Sequence, residues 1–310
     1  MNKPIAITMG DPSGVGPEII SALISANKNA NIIIVGDATL VSGAVSIDTV
    51  NEYVGGIALL SVPLVDAAIA GQPSLANAPV IVSWIETAVS LVRSGVARAM
   101  VTAPINKDNL VSGAKFQYPG HTEFLAHLDG DKDPVMMLAA EGILRVVPTT
   151  IHCPLSEVST RLTPDLLTKT ITTTYSSLKR FGIENPRIAI AGLNPHAGEN
   201  GKIGTEEQDW IFDSVAKCRS NGIDIFGPLS ADTMFHERAR QNYDVAICMY
   251  HDQALIPIKT LAFDEGVNVT LGLSFLRTSP DHGTAYDIAG KGVANPTSMI
   301  AAFDFADRWS

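Results

Sequence analysis

Three histidines of this chain each lie just beyond a short apolar run, an arrangement that could hold a metal ion. They are His152 in IHCP, His196 in LNPH and His251 in MYHD. Because the carboxyl ends of parallel strands in α/β proteins form a ligand crevice, three imidazoles there could bind Zn²⁺, Co²⁺ or a similar ion and leave positions open for substrate oxygens. A single histidine is more often a hydrogen-bonded core or loop residue, so spacing alone leaves both interpretations open.

A second group of residues has the chemistry of an anion site. His121 and Thr122 follow Tyr-Pro-Gly where a helix is expected to begin, and Lys259 and Arg277 follow apolar runs that could be strands. Such side chains near a helix N-terminus bind phosphate or carboxylate groups well. The alternative is that the two cations are solvated strand ends.

Two glycine-containing segments could bind a cofactor. Residues 10–18 (GDPSGVGPE) follow an apolar run and open a helix, but their glycines are spaced GxxxGxG rather than GxGxxG. That spacing favours a tight strand-to-helix turn over a dinucleotide-binding loop. Residues 282–292 (HGTAYDIAGKG) have the pattern of a short helix opened near Gly283-Thr284 and closed at Gly290, and physical arguments alone do not make them a cofactor site.

These residues need a scaffold, and the alternation of short apolar runs with amphipathic stretches predicts an α/β fold with largely parallel strands. Helices are expected to begin near Ser13, at Thr163-Pro164-Asp165 and at Thr205-Glu206-Glu207. The predicted strands cover residues 5–8, 31–35, 98–102, 135–139, 187–191, 244–249 and 267–271.

Composition excludes several classes of function. The chain has 310 residues, 46% of them hydrophobic, and a formal net charge of −10, which disfavours nucleic acid as a partner. Its three cysteines form no CxxC pair, as expected in a reducing compartment. The apolar run at residues 5–9 is too short for a signal peptide, and no segment is expected to span a membrane. We therefore expect a cytoplasmic protein.

Several long motifs occur in one order: GDPSGVGPE (10–18), PGHTEFLA (119–126), GLNPHAGENGKIGTEE (192–207), GPLSADT (227–233), YHDQ (250–253) and LGLSFLRTSPDHGTAYDIAGKG (271–292). With them the chain resembles the 4-hydroxythreonine-4-phosphate dehydrogenase family of pyridoxal phosphate biosynthesis, from Ile5 almost to the C-terminus. The last motif is also similar to a helix of isopropylmalate-type dehydrogenases, which bind nicotinamide cofactors without a glycine-rich dinucleotide loop.

The resemblance implies an isopropylmalate/isocitrate-dehydrogenase-like fold, with two α/β/α domains flanking an active-site cleft. We expect a discontinuous first domain on the cofactor side, residues 1–120 plus 260–310. A second domain, residues 121–259, is expected on the metal and dimer side. The resemblance further implies a homodimer whose metal site lies near the subunit interface.

The resemblance also implies roles for individual residues. One divalent ion (Zn, Mg or Co) is bound by His152, His196 and His251, with one histidine contributed by the partner subunit. The phosphorylated substrate is held by His121, Thr122, Lys259, Asn268 and Arg277. The cofactor, NAD or NADP, is bound by His282, Gly283, Thr284 and Asp287. No arginine stands where it would plainly bind a 2′-phosphate, which favours NAD.

The reaction that the resemblance implies is the oxidation and decarboxylation of 4-phosphohydroxy-L-threonine to 3-amino-2-oxopropyl phosphate. Asp232 is the expected general base and Lys259 the second choice, although Asp232 could instead cap a helix. Related acids, 4-phospho-D-threonate and 4-phospho-D-erythronate, are alternative substrates. Gly120-His121-Thr122 and Arg277 favour a phosphorylated substrate over a cyclic diol. More distant alternatives are a metal-dependent hydrolase or lyase and a phosphometabolite-binding protein.

Overall fold

The computed structural model describes residues 2–310 and shows strands and helices that alternate along most of the chain. The strands are β1 (Ile5–Thr8), β2 (Ile32–Gly36), β3 (Val45–Ile47), β4 (Ile57–Ser61), β5 (Ala99–Thr102), β6 (Val135–Ala140), β7 (Leu144–Pro148), β8 (Ile188–Ala191), β9 (Ile225–Leu229), β10 (Val245–Cys248), β11 (Val267–Leu271) and β12 (Leu276–Pro280). The helices are α1 (Gly16–Ala26), α2 (Ala78–Arg93), α3 (Lys107–Ala114), α4 (His121–Leu128), α5 (Val158–Arg161), α6 (Pro164–Arg180), α7 (Phe212–Ser220), α8 (Glu237–Arg240), α9 (His251–Leu261) and α10 (Thr297–Trp309). A π-helical turn, Glu207–Ile211, leads into α7.

The chain divides into two compact units. Unit 1 comprises the residues up to Pro134 together with Leu273–Ser310, and unit 2 comprises Val135–Gly272. Both boundaries lie further along the chain than the expected positions after residues 120 and 259. Helix α4 packs on α2 and so belongs to unit 1. Strand β11 pairs with β6, Asn268 opposite Leu138, and so belongs to unit 2.

Unit 1 is built on a parallel sheet in the order β3-β4-β2-β1-β5-β12. Every residue of β1, β2, β5 and β12 is buried, as is typical of parallel strands covered on both faces. Because the strands are parallel, the segments after β1, β5 and β12 leave the sheet at the same edge.

Unit 2 has the strand order β11-β6-β7-β10-β8-β9. Strand β6 runs antiparallel to both of its neighbours, and β7, β10, β8 and β9 run parallel. The carboxyl ends of β7, β10 and β8 therefore lie side by side at one edge of this sheet. These are the strands that precede His152, His251 and His196.

Local sequence signals explain some elements and fail for others. Thr163 caps α6, since its hydroxyl accepts a hydrogen bond from the N–H of Leu166, whereas α1 begins only after Val15 and has no side-chain cap. Lys259 does not follow a strand: it lies in the last turn of α9, which tolerates Pro257. The segment 282–292 forms turns rather than the expected helix, because Ala285, near the start of that helix, has φ 46°.

Residues 75–93 correct the expectation that no segment reaches membrane-spanning length. Within the described residues this is the one helical stretch long and apolar enough to cross a membrane, but half of it is buried inside the protein. Trp84 and Ala88 of α2 have no exposed surface, and the Trp84 indole N–H donates to the carbonyl of Val62 at 3.0 Å. The segment therefore has the burial of a core helix of unit 1.

Candidate active site

The ends of β7 and β10 bring His152 and His251 together. The two strands stay in register beyond their last residues, because the N–H groups of Thr149 and Thr150 donate to the carbonyls of Cys248 and Met249. His152 follows this pairing directly and His251 is the first residue of α9. Their ring centroids lie 5.9 Å apart. The predicted adjacency of these two histidines is therefore present in the structure.

Gln253, in the first turn of α9, ties this helix to the neighbouring strand. Its amide oxygen accepts the N–H of Met249 at 2.7 Å, and its amide nitrogen donates to the carbonyl of Gly192 at 2.8 Å. Met249 follows β10 and Gly192 follows β8. One side chain of the YHDQ motif thus fixes the start of α9 relative to the loop that carries His196.

His196 lies on a loop with an unusual backbone. Residues 196–200 all have positive φ, with values of 53°, 51°, 78°, 43° and 57°. Only Gly198 among them adopts this left-handed region without steric cost, and an L-residue loses about 1–2 kcal/mol there. The two residues on each side of Gly198, His196 and Ala197 before it and Glu199 and Asn200 after it, require strong support from the surrounding residues.

That support is Glu207, whose side chain is fully buried beneath the loop. Its carboxylate accepts the backbone N–H of Asn194 at 2.8 Å and the Asn194 side-chain amide at 3.0 Å. A Cβ at Gly198 would lie 2.7 Å from a Glu207 carboxylate oxygen, so the loop packs directly on this acid. Sequence reasoning missed Glu207, because 13 residues separate it from Asn194 and no local pattern links them.

Two of the three predicted metal ligands have rings oriented by a carboxylate. The Nδ1 atom of His251 lies 2.8 Å from Asp252, and that of His196 lies 2.9 Å from Glu199. The hydrogen bond that the Glu199 carboxylate accepts from His196, and then the charge of Glu199, raise the pKa of His196. A carboxylate on one ring nitrogen leaves the other available as a ligand, as in many histidine metal sites.

No single cluster of ligands is complete. Within residues 2–310 the structure contains no group of three or more His, Cys, Asp or Glu side chains that could hold a metal ion. His152 and His251 supply two adjacent imidazoles. A third ligand must come from outside this pair, so the three-histidine site stays a prediction.

Other predicted residues of unit 2 are distributed around α9. Asp232 accepts from the Ser230 hydroxyl at 2.7 Å and caps no helix, since the cap of α8 is His236. Lys259 lies eight residues after His251, about 12 Å along the helix axis, and its ammonium stacks 5.3 Å from the Phe263 ring. Asn268, in β11, has a buried side-chain oxygen without a hydrogen-bond partner within the described chain.

A cavity of about 460 Å³ opens beside α9 in unit 2. Its polar lining residues include Asp232, Tyr250 and Asp252. The remaining lining is mostly apolar, from Phe235, Ile256, Pro257 and Leu261. The cavity therefore places Asp232 on the same concave surface as the residue that orients His251.

In unit 1, two basic side chains lie near each other: Arg277, which is buried, and His121, whose Nε2 atom is buried. His121 is the first residue of α4, and its Nε2 atom has no hydrogen-bond partner among residues 2–310. Burial, and then the charge of Arg277, lower the pKa of His121 well below its usual value. Burial lowers the pKa of Arg277 to about 10, while nearby Glu123 acts in the opposite direction. At neutral pH the pair is an uncharged imidazole beside a cation.

Strand pairing fixes the orientation of Arg277. Its Nε and Nη2 atoms donate to the Thr102 hydroxyl at 3.1 and 2.6 Å, and β12 pairs with β5 in parallel register. Thr122 follows His121 in the first turn of α4, where free backbone N–H groups favour an anion. A buried cation, an unpaired imidazole and a helix N-terminus together suit a phosphate group.

The predicted cofactor residues lie on the turns that follow β12. The buried Nε2 atom of His282 has no hydrogen-bond partner in the described part of the chain, and Gly283 has nothing within 4 Å of a Cβ built on it. Asp287 is exposed and Thr284 is buried. The structure therefore leaves an open face at 282–287, although no residue contact defines a cofactor there.

Comparison with known proteins identifies relatives over the whole chain. Residues 20–306 match the family described as "Pyridoxal phosphate biosynthetic protein PdxA". A curated protein of Roseobacter denitrificans named 4-hydroxythreonine-4-phosphate dehydrogenase is 50% identical over 312 residues, covering 98% of this chain and 96% of that protein.

Solved structures agree with this result. A crystal structure of 4-hydroxythreonine-4-phosphate dehydrogenase from Klebsiella pneumoniae is 38% identical, with a TM-score of 0.92 and coverage of 99% and 98% of the two chains. A β-decarboxylating dehydrogenase of Thermococcus kodakarensis is 15% identical with a TM-score of 0.53, covering 99% of this chain and 83% of that one. The second likeness shows a shared fold alone and confirms the predicted fold class.

The lowered pKa of His121 predicts a specific pH dependence of stability. The unfolded state takes up a proton at this histidine below about pH 6.5, whereas the buried ring stays neutral. This contribution to stability is therefore present above the unfolded pKa and is lost as the pH falls toward the folded pKa. Below about pH 6.5 the free energy of unfolding of the wild type should therefore fall relative to that of His121→Gln, by up to about 1.4 kcal/mol per pH unit. Urea unfolding at each pH measures the difference, and parallel curves would contradict the prediction.

The buried position of Glu207 predicts that its charge stabilises the loop of His196. Glu207→Gln places an amide against the Asn194 side-chain amide and should lower the free energy of unfolding by about 2 kcal/mol. Glu184→Gln makes the same change at an exposed position of unit 2 and should shift it by less than about 0.5 kcal/mol. Urea titration compares the two variants, and equal effects would show that Glu207 does not support the loop.

Proposed function

Because the chain belongs to the family of the pyridoxal phosphate biosynthetic protein PdxA, we propose that it oxidises and decarboxylates 4-phosphohydroxy-L-threonine. The curated relatives confirm the predicted family and the enzyme class, an oxidoreductase. The product of the proposed reaction is 3-amino-2-oxopropyl phosphate. In this reaction the substrate carbon that bears the hydroxyl would lose a hydride to NAD⁺ or NADP⁺ and the hydroxyl proton would pass to a base. The carboxylate would then leave as CO₂, and the carbon that bore it would take up a proton.

The observation that supports this proposal best is the pair of His121 and Arg277. A guanidinium 3% exposed is well suited to bind two phosphate oxygens, and the unpaired Nε2 of His121 can donate to a third. The neutral state of His121 limits charge repulsion with Arg277 in the absence of substrate. Recognition of a phosphate therefore separates this chain from relatives that act on unphosphorylated diols.

The donor chemistry of unit 2 fits a divalent metal ion. His152 and His251 would hold it through adjacent ring nitrogens, with Asp252 orienting His251. Bound there, such an ion would make the substrate hydroxyl more acidic and would stabilise negative charge during decarboxylation. Zinc, cobalt and magnesium are all compatible with the predicted histidines, although imidazole ligands favour the first two.

We assign the third ligand position to His196 of a partner subunit. Within one chain His196 does not join the other two histidines in a group that could hold a metal, yet its ring is exposed and held by Glu199. An apolar surface suited to a second copy lies on the same unit, where Ile256 is 62% exposed and Phe263 is 71% exposed. A homodimer would cover this surface and supply the missing ligand.

Asp232 remains our choice of general base. It lies on the cavity beside α9, on the same concave surface as Asp252, whose carboxylate orients His251. Lys259 is the less suitable candidate because its ammonium lies over the Phe263 ring. Lys259 is also about 12 Å from His251 along the axis of α9. Lys259 and Asn268 keep their predicted roles in substrate binding.

The cofactor is proposed to bind at His282, Gly283, Thr284 and Asp287, and NAD is favoured over NADP. The open backbone at Gly283 and the exposed carboxylate of Asp287 suit a ribose with free hydroxyl groups better than a 2′-phosphate, which an acid would repel. A soluble nicotinamide-linked enzyme with free cysteines is further proposed to act in the cytoplasm.

Initial rates of nicotinamide reduction test the reaction. With added Zn²⁺ or Co²⁺ we expect turnover of 4-phosphohydroxy-L-threonine, and no turnover with a chelator. Arg277→Ala should raise KM about 100-fold because it removes charge-assisted hydrogen bonds to phosphate, and Arg277→Lys, which keeps the charge but not the planar fork, should recover only part of this loss.

The same assay distinguishes the alternatives. Turnover only with 4-phospho-D-threonate or 4-phospho-D-erythronate would keep the chemistry and replace the substrate. No nicotinamide reduction with any of the three acids would overturn the dehydrogenase assignment in favour of a hydrolase, a lyase or a binding protein. Thermal melts of the Arg277 variants provide the control for folding.

Mixed dimers test the source of the third ligand. His152→Ala and His196→Ala chains should each be inactive as homodimers. Co-expressed and purified as a heterodimer with two affinity tags, they should regain about half of the wild-type activity, because one of the two sites then contains only intact histidines.

The matched control is the His152→Ala and His251→Ala pair. Both of these residues belong to the same chain's part of the site, so their heterodimer should remain inactive. Activity in this pair, or its absence in the first, would show that His196 is not the partner's ligand.

A further inference from the structure

The glycine-containing turn at residues 10–18 has no place in the proposed chemistry, yet it contacts the 282–292 segment throughout. The hydroxyl of Tyr286 donates to the Asp11 carboxylate at 2.6 Å. The N–H of Val15 donates to the carbonyl of Thr284 at 2.9 Å. The Glu18 carboxylate accepts the backbone N–H groups of Gly290 and Gly292, the latter at 3.2 Å. Four contacts thus join two parts of unit 1 that are about 270 residues apart in sequence.

The glycine at position 14 is required by this packing. A Cβ there would lie 2.7 Å from the carbonyl oxygen of Thr284 and 3.0 Å from its Cβ. The space that a phosphate-binding loop would keep for a ligand is therefore filled by the backbone of the 282–292 segment. This explains why a turn with the composition of a nucleotide-binding loop does not have its spacing.

The position of Asp11 is fixed by contacts other than the one with Tyr286. It is 1% exposed, its carboxylate accepts the N–H of Ser13 at 2.9 Å and the side-chain amide of Asn109 at 3.2 Å, and its own N–H donates to the carbonyl of Pro104 at 2.8 Å. Burial, and then the hydrogen bond to Asp11, raise the pKa of Tyr286, so its hydroxyl remains a donor. The hydrogen bond from the Tyr286 hydroxyl to the Asp11 carboxylate therefore fixes the position of Tyr286.

Glu18 acts on the far end of the same segment. Gly290 and Gly292 have φ values of 74° and 68°, and their N–H groups converge on its half-buried carboxylate. A second connection runs through residues 69–72, where the N–H of Gly71 donates to the carbonyl of Ser13 at 2.8 Å. The turns of the 282–292 segment have two internal backbone hydrogen bonds, from the N–H of Ile288 to the carbonyl of Ala285 and from the N–H of Lys291 to the carbonyl of Ile288, and hydrogen bonds with residues 10–18 hold them further.

We propose that Asp11 and Glu18 are positioning residues for the nicotinamide cofactor: they hold Tyr286, Gly290 and Gly292 and thereby set the conformation of residues 282–287. Neither carboxylate touches the cofactor. This inference rests on the proposed function, because it takes 282–287 as the cofactor-binding face. In this inference the GDPSGVGPE motif (residues 10–18) stabilises the conformation of residues 282–287.

Glu18→Gln is the main test, since the half-buried side chain can be replaced with little effect on folding. We expect KM and the dissociation constant for the cofactor to rise about tenfold, because the amide keeps a single acceptor and loses its charge. At saturating cofactor, kcat and the KM for the phosphorylated substrate should stay within about twofold of the wild type. Glu86→Gln, an exposed carboxylate on α2, is the matched control and should change none of these values.

Asp11→Asn and Tyr286→Phe test the other end of the segment. Each should raise the dissociation constant of the cofactor, measured by calorimetry without substrate, and the double variant should be no worse than Asp11→Asn alone because both changes break one hydrogen bond. Tyr286→Phe removes only an oxygen and keeps the test valid if Asp11→Asn fails to fold.

The outcomes separate this inference from the proposed function. A wild-type protein that neither binds nor reduces a nicotinamide cofactor would overturn the proposed function and this inference with it. An active wild type whose Glu18→Gln variant keeps its cofactor affinity, or loses kcat and substrate affinity instead, would overturn the positioning role alone.

Discussion

The arrangement of the functional loops depends on one constraint: a carboxylate buried away from water must have hydrogen bonds to its charge. Asp11, Asp129 and Glu207 are each less than 5% exposed. Each accepts hydrogen bonds from loops that follow a strand: Ser13 after β1, Ser274 after β11 and Asn194 after β8. Because each buried acid needs these hydrogen bonds, it fixes the conformation of the loop that donates them. Breaking any of these contacts would leave a charge unpaired in the core, which costs far more than a surface hydrogen bond.

The same constraint distinguishes the residues that are available to bind a ligand from the buried acids that hold the loops in place. Among the described residues, seven buried side-chain atoms have no hydrogen-bond partner, and none of the seven belongs to an acid; three of them belong to the predicted site residues His121, Asn268 and His282. The buried acids have their charges fully engaged within the protein. Basic and polar groups without a partner suit an anionic ligand, because a free carboxylate in their place would repel it. The strands determine where the loops begin, and the buried acids determine the conformation of those loops.

The sequence predicted the scaffold better than the site. Buried apolar runs identified β1, β2, β5 and β10 correctly, since central parallel strands are apolar on both faces. It missed β4, β7 and β12. It also missed β3, where two of three residues are exposed, and β9, which contains a Gly-Pro pair. The three histidines were found because each follows a strand. The roles of Asp11 and Glu207 were not found, because their partners are distant in sequence and a buried acid looks like a surface acid until the chain is folded.

The loop of His196 shows how the strained part of the site bears on function. A left-handed run with four non-glycine residues is unfavourable on its own, and Glu207 stabilises it at the cost of burying a charge. The strained loop presents an exposed His196 imidazole. Its Nδ1 atom is hydrogen-bonded to Glu199, which leaves Nε2 available as a ligand. Since strain of this kind persists where a side chain must be presented in one orientation, the geometry itself favours His196 as a ligand over a surface residue.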